Sequence, residues 1–187
     1  MGNIFERLAG GPRNLQKQDY NDWNDMVGSA PPEKFGRAAY DAIREVPPDE
    51  YYRHTQPGVD GTDPLGELDR NKRTQLAQSL LIELHRRGLS DAEIMQGAGV
   101  RTLDPNRMST QELAALAQWA QREQPKSFGR VAAQHQNEPD VLSGLFGNKA
   151  LLALGALLGA KYLSDRAKQE KQRRATPSGT PTSSTRM

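Results

Sequence analysis

Residues 150–160 read Ala150-Leu151-Leu152-Ala153-Leu154-Gly155-Ala156-Leu157-Leu158-Gly159-Ala160, eleven positions without a polar side chain. Nothing else in the 187 residues is comparably apolar. Leu and Ala are strong helix formers, so the stretch predicts a helix. Where that helix hides its surface decides the architecture. A bilayer core of about 30 Å asks for about 20 apolar residues. Widening the window to 141–163 gives 23 residues but admits Ser143, Asn148 and Lys149. A lysine near the bilayer centre costs roughly 2.5–3.5 kcal/mol, less when it reaches the interface. A span is therefore marginal. A helix lying in the interface needs one polar face, and 150–160 has none. The third reading is burial in protein, within the chain's own core or between subunits. Gly155 and Gly159 are four apart and share a face, the spacing that lets helices approach closely.

Charge is distributed unevenly around this segment. Residues 161–187 hold 7 Lys/Arg against 2 Asp/Glu, a balance of +5, whereas residues 1–160 hold 18 against 21, a balance of −3. An apolar helix with a cationic flank suits an anionic surface. The expected membrane or partner contacts are Leu145, Phe146, Leu151, Leu152, Leu154, Gly155, Leu157, Leu158, Gly159 and Leu163. The expected anionic-surface contacts are Lys161, Arg166, Lys168, Lys171, Arg173 and Arg174. From Ala175 onward the composition, Thr-Pro-Ser-Gly-Thr-Pro, is that of a disordered tail.

Upstream, helical spacing dominates. Tyr20, Trp23 and Val27 recur at i, i+3 and i+7. Pro31-Pro32 opens a helix carrying Phe35, Ala38, Ala39, Ala42, Ile43 and Val46, and Pro47-Pro48 ends it. A Gly/Pro/Asp-rich loop follows from Gln56 to Gly66. Asp69 is placed to cap a helix with Leu76, Ala77, Leu80, Leu81 and Leu84, which Gly88 stops. Ser90-Asp-Ala-Glu93 and Ser109-Thr-Gln-Glu112 both fit a capping box. The first starts a short helix that Gly97 and Gly99 are expected to end. The second starts a helix that Pro125 ends while opening another, with Phe128, Val131, Ala132 and His135. No sustained alternation is present, so strands are not expected.

One motif repeats. Pro32-Glu-Lys-Phe35-Gly36-Arg37 matches Pro125-Lys-Ser-Phe128-Gly129-Arg130, with a looser echo at Pro48-Asp-Glu-Tyr51-Tyr52-Arg53. Shared helix-start chemistry explains it, proline in the first turn and then a packing aromatic. A duplicated helical hairpin is the alternative. The irregular spacing excludes a solenoid.

Few residues are spaced for chemistry. Without cysteine there are no disulfides, thiolate metal sites or Cys nucleophiles. His54, His85 and His135 lie singly, and Glu83 and His85 are two apart, on different helix faces. Gly97-Ala-Gly99 is not a phosphate loop, and Asp60-Gly-Thr-Asp63 lacks calcium-loop ligand spacing. Leu89 to Val100 has a helix-turn-helix flavour, but Pro105 interrupts the would-be recognition helix. Residues 1–6 show no secretory signal, and Glu6 spoils a myristoylation site at Gly2.

These observations predict an all-α chain: a docking segment at 1–14, a small irregular helical domain at 15–137, a hydrophobic then basic helix at 138–174, and a disordered tail at 175–187. The expected role is that of a non-enzymatic, membrane-associated interaction or scaffold protein. It would work without cofactor or metal, in the cytoplasm at the inner face of a membrane. A soluble oligomer burying the apolar helix is the alternative. Weak nucleic-acid binding through the basic tail is a second.

Overall fold

Prolines and side-chain caps set the helix boundaries. In the computed structural model, residues 4–9, 15–27, 30–55, 63–146 and 150–158 are described, and among them the regular structure is all α-helical. The helices are α1 (Ile4–Ala9), α2 (Lys17–Val27), α3 (Pro32–Arg44), α4 (Pro48–Thr55), α5 (Arg70–Arg86), α6 (Asp91–Ala98), α7 (Thr110–Glu123), α8 (Pro125–Gln134) and α9 (Pro139–Leu145). Residues 150–158 are also helical. Four helices, α3, α4, α8 and α9, start on a proline whose missing N–H has no helical partner to lose. Asp69 caps α5 by accepting the Lys72 N–H at 2.9 Å. Both expected capping boxes form, at Ser90/Glu93 and Ser109/Glu112.

The second box does more than start α7. Glu112 accepts the Ser109 N–H at 3.0 Å and also the Arg101 N–H at 3.1 Å, so it pins the α6–α7 loop. Its carboxyl falls to about 2, chiefly through the Ser109 N–H, with the Arg101 bonds adding to the effect. One expected boundary is corrected. The helix α6 runs through Gly97, and Gly99 alone ends it at φ 66°. Gly97 has a packing role instead, since a Cβ there would lie 2.5 Å from the Trp119 ring. His135 is likewise the cap of α8, one position past its end.

The helix α8 is central and packs on α3, α5 and α7. Its Phe128 meets Tyr51 of α4 and Phe146 beyond α9 edge-to-face, at centroid distances of 5.8 and 5.9 Å. Phe35, the matching residue of the sequence echo, meets Trp23 in the same way at 6.3 Å. The Trp23 indole N–H donates to the Gln136 carbonyl, which fastens α2 to the turn after α8. The helix α1 docks on α2 and α9. Arg7 reaches Asp19 and Asp22, which explains why Asp19 is buried in an otherwise polar helix.

Residues on both sides of position 138 share this core. Every residue of α9 is buried. Asp140 pairs with Lys72 of α5, and the Ser143 hydroxyl donates to the Leu8 carbonyl. Ala150, Leu151 and Leu154 of the 150–158 helix are buried in the same cluster.

Candidate functional site

The predicted contact residues divide by depth. Leu145, Phe146, Leu151 and Leu154 are fully buried in the chain's own core. Leu152 is 43% exposed on the other side of the 150–158 helix. Gly155, Leu157 and Leu158 are half-buried, and Ala156 is exposed. Gly159, Leu163 and the cationic set Lys161, Arg166, Lys168, Lys171, Arg173 and Arg174 lie outside the described residues, as does the tail from Ala175. Among the described residues no helix is long and apolar enough to cross a membrane. A helix held by one face keeps the other for solvent or a partner, and here that other face is apolar.

The titratable residues form structural links. His85 pairs with Asp91 at 2.7 Å across the α5–α6 turn. His135 is buried, with Nε2 3.1 Å from Ser79 Oγ and Nδ1 3.3 Å from Glu138. A serine, a histidine and a carboxylate in that order suggest a hydrolase triad. The geometry stops short of one. Nδ1 makes no hydrogen bond. Ser79 sits inside α5, where the neighbouring N–H groups are spent on the helix and cannot form an oxyanion hole. Among the described residues no group of three His, Asp or Glu side chains could hold a metal ion.

His54 of α4 carries a testable consequence. Burial holds its imidazole below the ordinary 6.5, and hydrogen bonding to the Ser143 and Gly144 backbone works against that shift. The unfolded chain therefore takes up a proton more readily than the folded one. This contribution to stability is whole above 6.5 and is lost as pH falls from there through the folded value. Melting temperature is expected to fall as pH drops below the ordinary imidazole value of 6.5, and His54→Gln is expected to flatten part of that slope. Identical slopes for the two proteins would refute the assignment.

Two concavities indent the described surface. The smaller, of 460 Å³, lies between α5 and the start of α7 beside Arg70 and Met108. Its Arg73 is already engaged by the Gly66 carbonyl and the Thr110 hydroxyl, at 3.3 and 3.4 Å. The larger is an open trough of 1130 Å³ above the crossing of α3 and α8. Arg37 and Arg44 line it from α3, Lys126 and Arg130 from α8, and Arg86 from α5. Against these stand Glu33 and Asp41. Beneath them Glu83, 1% exposed, binds Arg130 at 2.9 Å and Arg86 at 3.1 Å. Arg44 lies over the Tyr40 ring at 5.6 Å.

Composition gives no hint of this trough, because its cations come from three helices spread over about half the chain. The sequence echo was the available signal. Its two copies are α3 and α8, and they cross directly on Gly36 and Gly129. Comparison of the chain with protein-family models, with curated proteins and with solved structures finds no match.

Proposed function

We propose that this chain is a non-enzymatic interaction protein that docks on an anionic membrane surface through the outward face of the 150–158 helix. The observation that carries the reading is the split of that helix. Leu151 and Leu154 are fully buried while the neighbouring Leu152 is 43% exposed. Attachment is then one-sided and peripheral, because the domain holds the inner face and keeps it from lipid. The cationic residues from Lys161 to Arg174 follow directly in sequence and would add attraction to acidic headgroups.

Co-sedimentation of the full chain with phosphatidylcholine vesicles, with and without phosphatidylserine, tests this. Binding to the anionic vesicles is expected. Leu152→Glu should weaken it by roughly tenfold or more, the equivalent of losing one buried leucine. The exposed position should leave the melting temperature nearly unchanged. A full chain that stays in the supernatant with both vesicle types would overturn the proposal. A second reading, self-association through the same face, draws on the apolar pair Leu152 and Ala156, both exposed and four apart. It predicts a dimer in light scattering that Leu152→Glu converts to monomer.

A further inference from the structure

We propose that the trough between α3 and α8 is a binding site for an acidic peptide segment. Its size points to a chain rather than a small molecule. At 1130 Å³ and open to solvent, it exceeds the ~300–1,000 Å³ typical of small-ligand sites. The α3 edge runs from Pro32 to Arg44, about 18 Å of helix. An extended peptide covers that length with about six residues.

Charge selects the ligand's sign. Among the described lining residues five cations stand against two carboxylates, and Glu83 beneath offsets one more, a local excess of +2 on a body whose overall balance over residues 1–160 is −3. Three of the guanidinium groups are already restrained, Arg86 and Arg130 by the buried Glu83 and Arg44 by Tyr40. Restraint lowers the ordering cost of binding. Each guanidinium has five N–H donors in a planar fork suited to carboxylates. Lys126 and Arg130 are one helical turn apart, about 6 Å, close to the ~6.6 Å between alternate residues of a strand.

A second observation separates a peptide from other anions. Gln136 lines the trough and is 6% exposed. Its amide nitrogen donates to the Ala30 carbonyl at 3.1 Å, which fixes the orientation of the amide. Its Oε1 is then buried without a hydrogen-bond partner. A buried acceptor left unpaired costs free energy, and this one is closed to solvent, so an arriving N–H donor relieves it only once the Gln136 side chain turns toward the trough. A peptide main chain brings that donor together with acidic side chains. A nucleic-acid strand fits less well, because Tyr40, the one aromatic among the described lining residues, carries Arg44 over its ring, and bases need open faces to stack on. Glu33 and Asp41 would also repel an unbroken phosphate chain.

Fluorescence anisotropy with a labelled alternating Glu/Ala octapeptide and the full-length protein tests the site. Saturable binding is expected, about tenfold or more tighter than for the Gln/Ala octapeptide. Arg37 and Lys126 are both exposed, so R37E/K126E should fold normally and weaken binding by about tenfold or more. Reversing the exposed Arg53 of α4 should leave affinity unchanged. Three results would overturn the proposal: no saturable binding, an affinity that R37E/K126E leaves intact (the mark of capture by the basic tail), or displacement of the peptide by a thymidine octanucleotide that binds more tightly.

Discussion

A chain ended after Asn137 is expected to lose its cooperative thermal transition. The cut removes Val141, Leu142, Leu145, Phe146, Leu151 and Leu154, all with no exposure, together with Ala150 at 1%. Burying a Val, Leu or Phe side chain contributes about 1.5–3 kcal/mol. Six of them amount to roughly 9–18 kcal/mol as an upper bound, against a net stability of about 5–15 kcal/mol for a whole domain. The cut also bares one side of Phe128 and leaves Lys72 without Asp140. Circular dichroism melts of both chains check this. A truncated chain that melts cooperatively within a few degrees of the full one would show the C-terminal segment to be an appendage. The same calculation makes deletion a poor test of membrane docking, since unfolding would also change solubility. Leu152→Glu, which alters only the outward face, separates the two.

Gly129→Ala is expected to destabilise the fold although alanine is the better helix former. The added Cβ would lie 2.6 Å from the Gly36 carbonyl oxygen and 3.1 Å from the Tyr40 Cβ. The first obstacle is backbone and cannot rotate away, so α3 and α8 must separate. Overpacking of this kind costs about 1–3 kcal/mol or more. The helix-propensity gain is about 1 kcal/mol and does not compensate. Gly36→Ala meets the Gly129 oxygen at 2.9 Å, a milder clash, and is expected to cost less. The two changes crowd the same contact, and the helix separation forced by one makes room for the other, so the double variant should fall short of the sum. Each kcal/mol lowers the melting temperature by roughly 2–4 °C in a chain of this size. A Gly129→Ala protein that melts at or above the parent would refute the glycine crossing.

The helices were legible because their signals are local. A proline in the first turn, a Ser-x-x-Glu box and a left-handed glycine each act within one turn, so Pro32, Ser90, Ser109 and Gly99 fix their boundaries without help from the rest of the chain. The apolar stripes of α3 and α5 were legible for the same reason, as Phe35, Ala39, Ala42 and Ile43 and Leu76, Leu80 and Leu84 are buried at 0–1% exposure. What lies between helices was not legible. Nothing local in Asp19 or Glu83 indicates burial. Each is withdrawn from water because an arginine from a distant segment neutralises it. The echo of Pro-x-x-Phe-Gly-Arg was visible, but its glycines acquire meaning only when the two copies face one another. The trough inherits that obscurity, since its cations converge only after α3, α5 and α8 have packed. The apolar run was legible as a helix with surface to hide. How that surface divides between Leu151 inside and Leu152 outside depends on neighbours that its own composition does not name.

Amide hydrogen exchange across residues 139–158 of the full-length protein, free of lipid and detergent, tests most directly whether this segment belongs to the core. Protection of α9 and of the 150–158 helix at the level of α8, opening only with global unfolding, is the predicted result. Exchange of these amides at the rate of an unstructured peptide, while α8 stays protected, would contradict it.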